Sequence, residues 1–108
     1  MRPLVNDAAT ALIRAVRGRF SDPGLAFSLE ELRSRGWASV TFNGARHELA
    51  FRLDGDGAED AAGHFLSEMD AAEFNLRGHL LADLALVSEE RRPGQVRISL
   101  EALTVEDR

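Results

Sequence analysis

Three histidines, His47, His64 and His79, are the residues of this chain best suited to chemistry. Imidazole titrates near neutral pH, so each could act as a general acid or base or as a metal ligand. The 108 residues include no cysteine, which excludes disulfides, thiolate metal sites and cysteine nucleophiles. An acid/base or metal-assisted enzyme that uses one of these histidines is therefore one hypothesis for the function.

His47 is the most informative of the three, because the alternation of apolar and polar residues places it on the apolar face of a predicted strand. One interpretation is a ligand-binding pocket between sheet and helices, with Trp37 and Phe51 beside His47. The other is an imidazole at the edge of the core, whose polar tip reaches water or a backbone carbonyl. A lone histidine meets none of the geometric tests for a catalytic site, so we favour the second interpretation and predict no catalytic residue.

His64 lies between Asp60 and Glu68 at intervals of four residues, which places the three side chains on one face of a predicted helix. Such a face could offer ligands to a divalent metal ion, but it also describes a solvated face with favourable i, i+4 pairs. We favour the solvated face and predict neither a metal site nor a cofactor. His79 and Asp83 are also four residues apart, but along a strand that interval is about 13 Å, too far for a catalytic pair.

The segment Asp54-Gly55-Asp56-Gly57 has the acidic and glycine residues with which a calcium loop can begin. An EF-hand loop needs a bidentate glutamate at its twelfth position, which in this chain is Phe65. We therefore interpret the segment as a turn between a strand and a helix, with Asp56 near the helix N-cap.

Apolar spacing predicts helices over residues 5–20 and 58–70. Residues 25–35 alternate as a strand does; Ser28 and Glu31 also form a capping box for a short helix, and we favour the strand. The best-specified element is a hairpin over residues 37–54, in which Asn43-Gly44 favours a type I′ turn. That turn pairs Phe42 with Ala45 and gives one face the residues Ala38, Val40, Phe42, Leu49, Phe51 and Leu53.

Residues 74–87 are predicted to form a long strand with Leu80, Leu84 and Leu86 inward and with Asn75, Arg77, His79 and Asp83 outward. A polar turn over residues 89–94 leads into a last strand, whose inward residues are Val96, Ile98, Leu100 and Ala102. The alternation slips near Leu103 and Val105, which predicts a bulge or a terminal twist there.

The order of these elements predicts an α+β fold in which residues 1–108 form a single domain. We expect two layers: a four- or five-stranded, mainly antiparallel sheet, and two helices packed on one of its faces. The expected order along the chain is α-β-β-β-α-β-β.

Composition narrows the class of protein further. The formal net charge of −5 argues against a general nucleic-acid or anionic-membrane binder, because both need a basic surface. All thirteen basic residues are arginine, which with the many alanines and glycines indicates a GC-rich, bacterial genome. An apolar run long enough for a signal peptide or a transmembrane helix is missing from the sequence, so we expect a cytoplasmic protein.

Residues 37–47, with the sequence WASVTFNGARH, resemble a pattern in uncharacterised small proteobacterial α+β proteins. The resemblance covers about a tenth of the chain. It implies no activity and no functional residue, so the function has to be argued from the chain itself.

The sequence offers no catalytic constellation, and the leading hypothesis is therefore a non-enzymatic interaction or assembly module that forms a homodimer. The long strand over residues 74–87 is the expected contributor, because its length invites pairing beyond its neighbour. The expected interface lies on the outward sheet face, at His79, Asp83, Arg97 and Glu101. An unidentified protein is the alternative partner, and we expect neither nucleic acid nor a membrane. The pocket near Trp37 and the histidine enzyme are the second and third hypotheses.

Overall fold

The computed structural model describes residues 4–70, 74 and 76–106. Its elements, in chain order, are α1 Leu4–Arg17, β1 Ala26–Ala38, β2 Asn43–Asp54, α2 Ala58–Glu68, β3 His79–Arg92 and β4 Gln95–Glu106. The four strands form one antiparallel sheet in the order β1-β2-β4-β3, so β2 and β4 are central and β1 and β3 are edges. The predicted two-layer α+β fold is confirmed, with one strand fewer before the second helix than expected.

β1 explains the missing strand. The favoured strand over residues 25–35 is confirmed, but it continues to Ala38 as one element, so two predicted strands are one. A bulge after Leu29 leaves Glu30 without an opposed residue in the β1–β2 ladder, and the regular pairing resumes at Glu31. The capping box at Ser28 is not used, because pairing along β2 satisfies the backbone of the whole segment.

The predicted hairpin turn at Asn43-Gly44 is wrong. β1 ends at Ala38, which pairs with Asn43, and the turn consists of residues 39–42. Its closure comes from Ser39: the Ser39 backbone N–H donates to the Phe42 carbonyl at 2.7 Å, and the Phe42 N–H donates to Ser39 Oγ at 3.0 Å. Val40 and Phe42, predicted to face the core, are instead 102% and 54% exposed. A side-chain hydroxyl that closes a turn competes with the Asn-Gly signal, and here it allows the longer β1–β2 ladder.

The core lies between the helices and the central strands. The alternation in β2 buries Leu49, Phe51 and Leu53 as predicted, and the alternation in β4 buries Val96, Ile98, Leu100 and Ala102. The helices add Leu12, Ile13, Val16, Ala58, Ala62 and Phe65. Phe51 is at the centre, with ring centroids 4.9 Å from Phe27, 5.5 Å from Phe20 and 6.1 Å from Phe65.

The helices differ in how their ends are stabilised. α1 has Asp7 in its first turn and Arg14 and Arg17 in its last, which complements the helix dipole. The N-cap residue of α2 is Gly57, so the prediction that Asp56 lies near the N-cap is confirmed, although no side chain caps this helix. Neither helix of the described part of the chain is long and apolar enough to cross a membrane.

β3 departs most from prediction. It spans His79–Arg92, later than the expected residues 74–87, and the predicted polar turn shrinks to Pro93-Gly94 because residues 89–92 pair with β4. His79, predicted outward, lies on the helix side and is only 8% exposed, while Leu80, predicted inward, lies on the outer face. The cause is the bulge between Leu81 and Asp83, which shifts the alternation, and a second bulge between Leu86 and Ser88 shifts it again. Asn75 lies outside the described residues.

Of the two alternatives predicted for the end of the last strand, the bulge is wrong and the terminal twist stays a prediction. β4 pairs with β2 without interruption from Gln95 to Val105, and the irregularity is in β3 opposite it. The alternation continues through Thr104, which is fully buried. Leu103 and Val105 therefore lie on the outer face, and a polar residue occupies the inward position.

Candidate functional site

His47 is fully buried at the centre of a polar network that crosses three strands. It lies directly opposite Ser34 of β1, whose Oγ is 2.6 Å from His47 Nδ1. On the other side, His47 Nε2 is 2.9 Å from Oγ1 of Thr104 in β4. Thr104 Oγ1 donates in turn to the Ala45 carbonyl at 3.4 Å. Both nitrogens of the imidazole are thus engaged by neighbouring strands.

The hydrogen bonds favour one tautomer of His47. Because the Thr104 hydroxyl donates to Ala45, it accepts from Nε2–H, and Nδ1 then accepts from the Ser34 hydroxyl. An unpaired buried polar group costs about 1–3 kcal/mol, so this pairing makes an inward histidine tolerable. A serine hydroxyl hydrogen-bonded to an imidazole is also found in enzymes in which the serine is the nucleophile and the histidine is its general base. With the imidazole buried and both nitrogens bonded, the network is suited to holding β1, β2 and β4 in register.

Burial lowers the pKa of His47 below its ordinary value of 6.5, and His79 nearby lowers it further. In the window below pH 6.5 the unfolded chain therefore takes up a proton at this site that the folded chain does not. We expect the free energy of unfolding to fall as the pH decreases through that window. Urea unfolding between about pH 8 and about pH 5 measures the slope.

Two variants assign that slope to a residue. His47→Gln should flatten the pH dependence, whereas His64→Gln, at an exposed histidine of α2, should leave it as in the unmodified chain. Equal slopes for the unmodified chain and His47→Gln would show that another group is responsible.

A cavity of about 160 Å³ lies beside this network, under the start of α1. Trp37 and Thr104 are among its lining residues, with His79 and Glu106. Two polar atoms of these residues, Trp37 Nε1 and Glu106 Oε2, are buried within the protein and have no hydrogen-bond partner within residues 4–70, 74 and 76–106. Buried groups without partners are uncommon in native proteins, and an ordered water is one of the groups that can satisfy them.

A larger cleft of about 650 Å³ lies between the end of α1 and α2. Asp60, His64 and Glu68 line it, with His64 Nε2 3.1 Å from Glu68 Oε1 in an exposed i, i+4 pair. Across the cleft, the Arg19 guanidinium lies 4.7 Å from the ring centroid of Phe74. Within the described residues, no three histidine, aspartate or glutamate side chains are grouped so that they could hold a metal ion.

The outer face of the sheet is tied together by ion pairs that start at the β1 bulge. Glu30 pairs with Arg97 at 2.6 Å and with Arg52 at 3.2 Å. Asp54 accepts from Arg52 at 2.7 Å and from Gln95 at 2.9 Å. These contacts lower the pKa of the Asp54 carboxyl, with the Arg52 hydrogen bond as the main cause. Glu30, Arg52, Asp54 and Arg97 of this face therefore already have partners within the chain.

The open edge of β3 carries a row of apolar side chains. Leu80, Leu86 and Val87 are 56%, 42% and 59% exposed, and Asp83 is the single charged residue between positions 80 and 87. We call residues 80–87 the β3 apolar edge. Its exposure follows from the two bulges and from the helices, which pack mainly over the strands nearer the middle of the sheet.

The structure brings together only part of each predicted site. Trp37 lines the cavity and His47 touches its Thr104 wall, but Phe51 lies four residues along β2, about 13 Å away, in the aromatic core. Of the predicted interface residues, Asp83, Arg97 and Glu101 are exposed on the outer face, and His79 is buried on the other.

Sequence reasoning missed Ser34, Thr104 and Glu106. Their positions in the site depend on the register of the strands. The one feature of the local sequence that could have indicated the site is the polar residue Thr104 at an inward position of β4. Comparison of the chain with known protein families, curated proteins and solved structures finds no match.

Proposed function

We propose that this chain is an assembly module that forms a homodimer through the β3 apolar edge. The observation that carries the proposal is the exposure of Leu80, Leu86 and Val87 on a strand with one unpaired side. An open edge presents unpaired N–H and C=O groups, and apolar side chains beside them favour the addition of another strand.

The other edge strand shows what a protected edge looks like in the same sheet. β1 has a bulge at Glu30, and charged residues follow it at Glu31, Arg33 and Arg35. Bulges and charges on an edge both oppose pairing with another chain. The β3 apolar edge has its bulges but only one charge, so β3 is the edge that favours a partner.

Apolar side chains are exposed on both faces of β3, and this distinguishes edge-to-edge pairing of two strands from face-to-face stacking of two sheets. Leu80 lies across from Val105 on the outer face, and Leu86 lies across from Leu100 on the helix side. Stacking one sheet on another would cover only one of these leucines. Pairing edge to edge covers both, so it accounts for the exposure better, and it would give a continuous sheet across the two copies.

Symmetry restricts the register of that pairing. Two copies of β3 that are related by a two-fold axis pair antiparallel, and opposed residues then lie on the same face of the sheet. The axis must therefore pass between one residue and the same residue of the second copy. An axis at Asp83 would oppose two aspartates. An axis at Leu84 opposes Leu84 to its own copy and Asp83 to Ala85, and we place the axis there. The bulges after Leu81 and Leu86 keep the regular stretch short, which favours a reversible dimer.

A bacterial, cytoplasmic setting is part of the same proposal. The chain has no cysteine and needs no oxidising compartment for its stability, and its arginine-only basic residues fit a GC-rich genome.

Sedimentation velocity over a wide range of concentration tests the dimer. We expect the mass of two chains at high concentration and of one chain at low concentration. Leu86→Lys should weaken association by about 100-fold, because it places an unpaired charge in the interface.

The matched control is Leu32→Lys, the same change at an exposed leucine of the protected edge, which should leave association unchanged. A chain that stays monomeric at the highest concentration contradicts the proposal. So does an equal loss of association in both variants.

A further inference from the structure

In the part of the chain that the structure describes, two pairs of arginines lie directly opposite each other on the outer face of the sheet. Arg52 of β2 is opposed to Arg97 of β4, and Arg35 of β1 is opposed to Arg46 of β2. Opposed residues have Cβ atoms about 4.5–5.5 Å apart, and two like charges at that distance destabilise a sheet. An anion that lies between the two guanidinium groups removes this repulsion.

The chain itself supplies such an anion to the first pair. The Glu30 carboxylate bridges the two arginines: its Oε2 is 3.2 Å from Arg52 Nη1, and its Oε1 is 2.6 Å from Arg97 Nε. Each oxygen takes one arginine, so an opposed arginine pair fits the two oxygens of a single carboxylate. This contact is an internal example of how the outer face binds a carboxylate.

The second pair has no bridging carboxylate among the described residues. Arg35 and Arg46 are both exposed, and neither forms an ion pair with any described side chain. Glu48 is the next residue of β2 on the same face, but it lies opposite Arg33 and is paired with neither of the two arginines. The positive charge of this pair is therefore accessible to a group from outside the chain.

The surroundings of the second pair define the kind of partner that fits. Leu103 lies opposite Arg46, and Val105 follows it on the outer face of β4, so the surface towards the β1–β2 turn is apolar. In the other direction Glu48 and Glu101 oppose each other, and a negative group is repelled there. A partner fits when it places a carboxylate between the arginines and an apolar side chain over Leu103 and Val105.

We propose that Arg35 and Arg46 form a docking site for an acidic segment of a partner protein, in which a glutamate or an aspartate stands next to an apolar residue. A small anion on this open sheet face stays hydrated and gains little, whereas a protein segment adds apolar contacts to the ion pairs. The site is separate from the proposed dimer interface, because Arg35 is on the edge strand opposite to β3, three strand spacings or about 14 Å away.

Two tripeptides test the charge requirement on the unmodified chain. The probes are Leu-Glu-Leu and Leu-Gln-Leu, acetylated and amidated at their ends so that the glutamate carries the only charge. Binding is followed by NMR at the arginine Nε–H groups. We expect Leu-Glu-Leu to shift the Arg35 and Arg46 resonances saturably, and Leu-Gln-Leu to bind at least about fivefold more weakly. A titration without a saturable shift at these arginines, or equal binding of the two peptides, overturns the proposal.

Two variants locate the contact. Arg46→Gln removes half of the pair and should weaken binding of Leu-Glu-Leu by about fivefold. Arg92→Gln removes the same charge at an exposed residue at the other end of the outer face, and should leave binding unchanged. Equal weakening in both variants would reveal only a general attraction to positive charge, and it overturns the proposal. Arg46→Gln should leave dimerisation unchanged, so this proposal and the proposed dimer are tested independently.

Discussion

Phe51→Ala is expected to lower the free energy of unfolding by about 4 kcal/mol, the largest effect of any single substitution considered for this chain. Phe51 is fully buried and its ring contacts those of Phe20, Phe27 and Phe65. Truncation removes its apolar surface from the core and leaves a cavity among three rings, which strand β2 cannot close by moving because it is paired on both sides. Urea unfolding followed by circular dichroism measures the change.

Phe42→Ala is the matched control for Phe51→Ala. It makes the same truncation in the β1–β2 turn, where the phenylalanine is half exposed, and should change the stability by no more than about 0.5 kcal/mol. The two substitutions also separate the observed hairpin from one with its turn at Asn43-Gly44, in which Phe42 would be a core residue. Similar losses in both variants would contradict the observed register.

Gly44→Ala is expected to cost about 2–3 kcal/mol. A Cβ atom at this position would lie 2.2 Å from the Thr104 carbonyl oxygen as well as against the Trp37 ring. A backbone carbonyl within the ladder cannot move aside as the end of a flexible side chain can, so the strand or the indole has to shift. We expect the fluorescence of Trp37, the single tryptophan, to change together with the stability.

Gly63→Ala provides a control with the opposite sign. Gly63 lies inside α2, and the nearest atom to an added Cβ is 3.6 Å away, at the end of the Arg91 side chain. Alanine favours helix over glycine by about 0.5–1 kcal/mol, so this variant should be more stable than the unmodified chain. A Gly44→Ala variant with unchanged stability and fluorescence would mean that Trp37 does not pack on this glycine.

The sequence predicted the central strands well and the edge strands poorly, for a physical reason. In β2 and β4 one face meets the helices along its length, so residues such as Leu53 and Ile98 alternate cleanly with polar neighbours. β3 lies at an edge where the helices cover less of its surface, and its two bulges each change the phase. A period of two cannot show where a bulge falls, and so Leu80 was assigned to the wrong face.

The hairpin shows how a strong local signal can be overruled. Asn43-Gly44 matches a type I′ turn in sequence, but the register set by a turn there would pair Asp54 with Arg33 and leave residues 26–32 without partners on β2. The observed turn at residues 39–42 extends the ladder from Ala26 to Ala38. The fold survives the change because the buried face of β2, including His47 and Phe51, is fixed by alternation irrespective of where the turn lies.

Only those residues of the candidate site that stand out by their own type could be predicted from the sequence. Trp37 and His47 attract attention by residue type, and both are at the cavity or beside it. The other residues of the site come from strands that are distant in sequence. Ser34 lies 13 residues from its partner His47, and Thr104 lies 57 residues from it. Glu106 follows Thr104 on the same strand. Sequence patterns within a strand carry no information on such partners, so the unsatisfied pair at Trp37 and Glu106 could be found only from the register.

Disulfide trapping of a Leu84→Cys variant tests the proposed assembly most directly. The chain has no cysteine, so the introduced thiol is the only one, and opposed residues of an antiparallel pair have Cα atoms about 4.5–5.5 Å apart, within disulfide range. With the two-fold axis at Leu84, we expect mild oxidation to convert the variant to a covalent dimer, while Leu32→Cys on β1 stays monomeric. Equal cross-linking of the two variants, or none at position 84, would contradict pairing through β3.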